Sequence, residues 1–465
     1  MKVVLVLPPL AWPFSPYLGL PTLAAYLRGL GHRVTQFDAN LRLFDRVFSR
    51  AGLEQLRLAA QDRFRQLESR PALTPLEQEE YLDLVELLSV LPRYLARIEA
   101  VKAAFKDIDR YRLRPDGTVA LEGDWFDYKT IRHLVFPDET NPLRLPVVSL
   151  ERFRAAVEGR PPLPYQPFLE ELAGEIAALG PDLVGFSLTF GEQAIPGLVL
   201  ARLVKDRLPH VHLVMGGFYF SAVRDGLERI LPSLGFVDSV VLGEGEAPLA
   251  SLAAALERGG SLDQVPGLVR VERGAVRGNP PPPPLDLDEL PCPDFEGLPL
   301  QSYFAARPVL PYATARGCYW GRCAFCSFCL VSQRFRVRSP GLVARDLARL
   351  ARAYGALFYL AQEAEPPRRM EAIAQALLSE GAPVRYQLFA RFEKTFTART
   401  AEYLRRSGCL YVFFGLEAGS ERVNRLMRKG VDLQEAKRIV ADCAAAGLNV
   451  VVSSIRGFPT ETREE

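Results

Sequence analysis

A chain of 465 residues is longer than a single hydrophobic core usually serves, so two or three domains are expected. Hydrophobic residues make up 48% and charged residues 24%, and 57 basic side chains stand against 55 acidic ones, a balance that gives no electrostatic case for nucleic acid or an anionic membrane. No apolar run approaches the ~18 residues of a bilayer span, and prolines interrupt the apolar start Met1–Pro9 before it can read as a signal sequence; a cytoplasmic protein is expected.

Val3 to Leu7 is a continuous apolar run, the pattern of a parallel strand buried on both faces. A loop with Pro8, Pro9, Pro13 and Pro16 follows, then a predicted helix from about Pro21 to Leu30, with Gly31 just past its end. Val34 to Phe37 is the second strand, ending at Asp38. The alternation resumes with strands predicted over 182–189, over 211–215 before Gly216-Gly217, and over 237–242 before Gly243-Glu244-Gly245-Glu246. Strands alternating with helices predict a doubly wound, Rossmann-like parallel sheet over residues 1–272, with its ligand site outside the carboxyl ends of the strands.

An insertion from about 45 to 165 interrupts that alternation. Thr74-Pro75-Leu76-Glu77 has the residues of a helix start, and Leu84, Leu87, Leu88, Leu91, Leu95, Ile98 and Val101 recur at helical spacing, with a kink expected at Pro92. The insertion either packs on the sheet or caps a substrate channel; insertions this long are often functional. Residues 273–300, with Gly274, Gly278 and prolines 280–284, read as an extended linker. A second α/β unit spans 301–465, with strands predicted over 309–315, 357–360, 384–389, 411–414 and 449–453 and helices such as 341–354 and 432–446 between them. Five strands before the last residue, Glu465, imply an open or truncated (β/α) barrel.

Seven cysteines are unevenly spread: Cys292, Cys409 and Cys443 are isolated, whereas Cys318, Cys323, Cys326 and Cys329 fall within twelve residues. That crowding is a metal or redox pattern, not a disulfide framework. The first three lie just after the first strand of the second unit, the end at which barrels do chemistry. Three thiolates on one loop suit three corners of an iron–sulfur cubane. Cys323, Cys326 and Cys329 give an alternative C-x2-C-x2-C triad, and zinc, with Cys329 as a fourth ligand, and reduced structural cysteines are the rival readings of the spacing.

The loop Arg316-Gly-Cys318-Tyr-Trp-Gly-Arg-Cys323-Ala-Phe-Cys326 resembles the cluster loop of radical S-adenosylmethionine (SAM) enzymes. The usual spacing there is C-x3-C-x2-C with an aromatic before the last cysteine, the position of Phe325. This chain has one residue more in the first gap, where Gly321 lets the loop absorb it. The stretch from Leu404 to Gly430, with Gly415-Leu416-Glu417, and the segment Phe458-Pro459-Thr-Glu461-Thr462 are also similar to that superfamily. The resemblance implies that Cys318, Cys323 and Cys326 hold a 4Fe–4S cluster and that Phe325 belongs to the SAM site. It also implies that Glu417 hydrogen-bonds SAM and that Arg391 neutralises its carboxylate or bonds its ribose. Gln362-Glu363 lies where the family grips the methionine amine, which makes Glu363 the expected residue.

The first unit is similar to the cobalamin-binding domain fused to one branch of these enzymes, through Pro8-Pro9, Tyr17-Leu18-Gly19-Leu20-Pro21, Asp38, Gly216-Gly217 and Gly243 to Glu246. By that resemblance Pro8, Pro9, Leu18, Gly19, Thr189, Phe190, Gly216, Gly217, Gly243, Glu244, Gly245 and Glu246 pack against the corrin. None of the four histidines stands in an Asp-x-His-x-x-Gly context, so cobalamin is expected without a histidine lower ligand. The implied activity is radical methylation of an unactivated carbon, with a cyclisation or rearrangement enzyme and a non-catalytic, metal-stapled binding protein as alternatives. The implied partners are an electron donor such as a flavodoxin or ferredoxin and a small-molecule or peptide substrate.

Overall fold

A computed structural model describes residues 1–106, 111–113, 119–121, 150–160, 162–326, 334–360 and 364–465. They fall into two compact units, the first chiefly Met1–Arg112, Val119–Pro284 and Pro293–Ala306, the second chiefly Leu285–Cys292 and Arg307–Glu465.

In the first unit, strands β1 (Lys2–Leu7), β2 (Arg33–Asp38), β3 (Leu183–Ser187), β4 (His212–Gly216) and β5 (Ser239–Val241) pair in parallel in the spatial order 2-1-3-4-5. That is a doubly wound order, with its switch point between β1 and β3. Val3 to Leu7 are all buried, as covering on both faces requires. The first helix, Gly19–Gly29, starts two residues before the expected Pro21, because a proline within the first turn removes only an N–H that has no intrahelical partner. Gly31 follows it at φ +88°.

The insertion is helical where described, with Arg50–Glu68 and Pro75–Lys106 the longest segments. Thr74 and Glu77 cap the second reciprocally: the Thr74 N–H donates to Glu77 Oε2 at 2.9 Å, and the Glu77 N–H to Thr74 Oγ1 at 3.3 Å. The helix runs on through Pro92. Leu84, Leu87, Leu91 and Ile98 are buried in one hydrophobic core that also holds Val4, Val6 and Val184 of the sheet, and the helix Arg50–Glu68 is the neighbour of this one.

The structure differs from an extended linker over 273–300. Arg273 (φ +51°) and Gly274 (φ +80°) form a two-residue hairpin turn, and β6 (Leu268–Glu272) and β7 (Ala275–Gly278) extend the sheet as an antiparallel edge. Residues 285–292 group with the second unit, where Arg338 Nη2 donates to the Leu290 carbonyl at 2.8 Å. Residues 293–306 return to the first: Gln36 Nε2 donates to the Asp294 carbonyl at 2.8 Å, and the Phe304 N–H to the Pro13 carbonyl at 2.9 Å.

That return buries a carboxyl group. Asp38 ends β2, caps the helix Ala39–Val47 by accepting the Leu41 N–H at 2.7 Å, and accepts the Tyr303 hydroxyl at 2.5 Å. Burial pushes its pKa up to about 6 against these hydrogen bonds. A native pKa above the unfolded value means that the stabilising contribution is complete below about pH 4 and lost as pH rises through about 6. Asp38→Asn should therefore gain on the wild type over that window by up to ~3 kcal/mol in urea unfolding. A difference between the two that stays flat from about pH 4 to about pH 7 would rule this out.

In the second unit, β8 (Val309–Tyr312), β9 (Leu357–Leu360), β10 (Arg385–Ala390), β11 (Cys409–Glu417) and β12 (Asn449–Ser454) are parallel neighbours in sequence order. Helices including Pro340–Tyr354, Pro367–Glu380, Ala398–Arg406 and Leu433–Ala445 connect them, which makes an open, partial (β/α) barrel.

Candidate functional site

The cysteine loop leaves the sheet beyond β8 and is framed by a short antiparallel pairing of Ala315–Arg316 with Arg336–Val337. Its far side is tied to the segment after β11. The Ala324 N–H donates to the Met427 carbonyl at 2.9 Å, and Trp320 Nε1 to the Arg428 carbonyl at 3.0 Å. Cys318, Cys323 and Cys326 are free, partly exposed thiols. Burial raises the pKa of Cys323, and the other two thiols add to that while Lys429 and Arg391 oppose it. Cations beside the loop favour thiolates, the form that binds metal. Among the described residues no group of three or more His, Cys, Asp or Glu side chains is placed as the ligands of one metal ion would be. Soft sulfur donors spread along one loop fit a multi-iron cluster. Cys329 and Glu363 lie outside the described residues.

Glu417 is the last residue of β11. The ladder to β12 slips between Gly415 and Glu417, and Glu417 adopts φ +67°, a local bulge that re-aims its side chain. Its carboxylate accepts from Lys429 Nζ at 2.8 Å, with both side chains about nine-tenths buried. A Cβ at Gly415 would lie 2.4 Å from Glu417 Oε1 and 2.6 Å from Lys429 Nζ, so the two side-chain ends fill the space beside that glycine. Lys429 Nζ stands 5.8 Å from the Phe325 ring centroid, which links the pair to the cysteine loop. Arg391 follows β10, is 5% exposed, and keeps a buried Nε with no hydrogen-bond partner. An unused donor beside the thiols suits a ligand that brings an acceptor. A groove of about 930 Å³ opens beside Cys323, lined also by Trp320, Arg322, Asn424, Arg425 and Arg428.

Thus Cys318, Cys323, Cys326, Phe325, Arg391 and Glu417 share one end of the second sheet. Lys429 had no sequence signal as a partner of Glu417, since eleven residues of turn and helix separate them. Glu365 was also missed. It is 1% exposed, accepts from Thr314 Oγ1, and pairs with Arg369 at 2.7 Å across one helical turn. Its only sequence hint was the Glu-to-Arg spacing of four.

In the first unit the residues expected at the corrin all lie past the carboxyl ends of parallel strands: Pro8 and Pro9 after β1, Thr189 and Phe190 after β3, Gly216 and Gly217 at the end of β4, and Gly243, Glu244, Gly245 and Glu246 after β5. Leu18 and Gly19 open the first helix at the same edge. Gln193, fully buried and unremarked in the sequence, joins two of these loops. Its Oε1 accepts the N–H groups of Thr189 (2.8 Å) and Phe190 (3.1 Å), and its Nε2 donates to the Pro8 carbonyl at 2.7 Å. Gly217 (φ +97°) passes so close to Leu188 that a Cβ would lie 2.2 Å from its carbonyl oxygen. His32, His210 and His212 precede or open β2 and β4, at the opposite, amino edge.

Residues 312–465 match the family model described as the Radical SAM superfamily. The chain is 32% identical over 306 residues to an uncharacterized methyltransferase, PH0819, of Pyrococcus horikoshii, covering 63% of this chain and 64% of that protein. It is 30% identical over 291 residues to the hopanoid C-3 methylase of Methylococcus capsulatus, covering 60% and 54% respectively. The chain therefore spans less than two thirds of the length of either relative. Its fold matches that of the radical SAM methyltransferase TsrM from Kitasatospora setae, solved with cobalamin and a [4Fe–4S] cluster, at a TM-score of 0.59 and 16% identity, over 100% of this chain and 71% of that one.

Proposed function

We propose that this chain, whose residues 312–465 belong to the radical SAM superfamily, is a cobalamin-dependent radical SAM methyltransferase acting on an unactivated carbon. The observation that carries this reading is the three-thiol loop, docked on Met427–Gly430 beside the Glu417–Lys429 pair at the carboxyl ends of parallel strands. The names of two of the curated relatives, a methyltransferase and a methylase at 32% and 30% identity, support methyl transfer, while relatives of 23–28% identity are named as cyclases.

In this reading Cys318, Cys323 and Cys326 would hold a 4Fe–4S cluster. When bound, the cluster supplies the electron that cleaves SAM, and cobalamin supplies the methyl carrier. Glu417, held by Lys429, accepts a hydrogen bond from SAM, and Arg391 Nε donates to it; Phe325 walls the site, and Glu363 receives the methionine amine. In the first unit Pro8, Pro9, Leu18, Gly19, Thr189, Phe190, Gly216, Gly217 and residues 243–246 line the corrin surface, where glycines keep the backbone close. Among the described residues no histidine lies at that edge. A flavodoxin or ferredoxin supplies the electron, and the substrate is a small molecule or a peptide.

The test is anaerobic reconstitution with iron, sulfide, cobalamin and a strong reductant. The holoprotein should be brown, bind SAM, and with substrate form S-adenosylhomocysteine and 5′-deoxyadenosine in near-equal amounts. Glu417→Ala should weaken SAM binding by roughly 1.5–3 kcal/mol without loss of iron, the size of a charge-assisted hydrogen bond. 5′-Deoxyadenosine without S-adenosylhomocysteine would favour rearrangement. A colourless, zinc-loaded protein would sink the enzymatic reading.

A further inference from the structure

Four residues separate Cys318 from Cys323, and two of them, Tyr319 and Trp320, are aromatic. The Arg391 guanidinium lies over the Trp320 ring, 3.8 Å from its centroid, and 5.7 Å from that of Tyr319. Trp320 Nε1 is spent on the Arg428 carbonyl, and the Tyr319 hydroxyl donates to the Glu393 carboxylate. Glu393 also receives Arg391 Nη1 at 3.4 Å, while Arg391 Nη2 donates to the Lys429 carbonyl at 2.5 Å. One buried cation thus joins the cysteine loop, the end of β10 and the segment after β11. Gly430 completes the fit: at φ +68°, a Cβ there would stand 2.6 Å from Trp320 Cζ2.

We infer that Trp320, stacked on Arg391 and bonded to Arg428, is a positioning residue that braces the lengthened cysteine loop and sets where Cys318 and Cys323 stand. A loop with a glycine at φ +58° in its middle, Gly321, has freedom that the extra residue increases. The indole removes that freedom by two interactions of different kinds: a desolvated cation on its face and a carbonyl at its edge. Glu393, the Lys429 carbonyl and the Trp320 face all anchor Arg391 and thereby serve the loop, which leaves only Nε for a bound ligand. The inference rests on the cluster reading of the three cysteines.

The experiment uses the full chain after anaerobic reconstitution and follows iron release to a chelator, the electron paramagnetic resonance spectrum of the reduced cluster, and the melting temperature of the metal-free protein. Trp320→Ala should release iron about tenfold faster and alter the spectrum, with little change in melting temperature. Trp320→Phe, which keeps a ring face for Arg391, should recover part of the difference. Arg391→Ala should match Trp320→Ala, and the double variant should be no worse than either single one, because both remove the same brace. Gly430→Ala, which displaces the ring and leaves it in the chain, should show the same spectrum. Wild-type release from Trp320→Ala, additive effects in the double variant, or a fall in metal-free melting temperature large enough to account for the release would each overturn the inference. Cys318→Ser, run in parallel, separates the two failures: if it too keeps its iron, the cluster reading falls and not the brace alone.

Discussion

Cys318→Ser, Cys323→Ser and Cys326→Ser should each lose most of the iron and sulfide that the unaltered chain takes up under anaerobic reconstitution, and Cys329→Ser should lose little. A serine alkoxide is a hard donor with a far higher pKa than a thiol, so it replaces a thiolate poorly on iron. The loop offers no spare soft ligand among its described residues, and the cations that favour thiolate at Cys323 come from Lys429 and Arg391, which the substitutions leave in place. The loss should therefore be specific, with the fold of the second unit intact by circular dichroism. Iron and sulfide analysis decides the ligand register. If Cys318→Ser keeps a full cluster while Cys329→Ser loses it, the ligands are Cys323, Cys326 and Cys329 instead.

Gly217→Ala should be strongly damaging to the first unit. Its backbone, at φ +97° and ψ 178°, lies in a region open essentially to glycine alone, which costs an alanine of order 1–3 kcal/mol. The added carbon would also meet the Leu188 oxygen at 2.2 Å and its nitrogen at 2.8 Å, so the backbone itself must move. That movement would strain two hydrogen bonds that join the loops after β3 and β4. The Leu188 carbonyl accepts the Tyr219 N–H at 3.2 Å, and the Leu188 N–H donates to the Gly216 carbonyl at 2.9 Å. A total of ~3 kcal/mol or more is expected, a large share of the roughly 5–15 kcal/mol that holds a typical domain. Cobalamin uptake should fall with it, since both loops belong to the proposed corrin surface. Gly29→Ala is the control. A Cβ there meets nothing within 4 Å and the residue is helical, so the change should be neutral or stabilising. Urea unfolding of both variants measures the contrast, and equal midpoints would refute it.

The parallel strands were legible because their signal is local: apolar runs such as Val3–Leu7, punctuated by proline and glycine, need no partner to be recognised. The same locality misled at Gly274, where glycine beside a proline-rich stretch reads as linker. Only pairing with β6 makes it a hairpin turn, and pairing is decided at long range. The cysteine loop was legible as a metal motif because its donors lie within nine residues, close enough for spacing alone to carry chemistry. What surrounds it was not. Lys429 beside Glu417, Trp320 beneath Arg391, and Gln193 between two loops are each meetings of residues remote in sequence, and no period or cap announces them. The burial of Asp38 beneath Tyr303 is of the same kind, for the two are 265 residues apart. Local chemistry thus names the elements and the soft ligands. Charge pairing, pKa and the anchoring of loops belong to tertiary structure, because desolvation and hydrogen-bond partners exist only once distant segments close on one another.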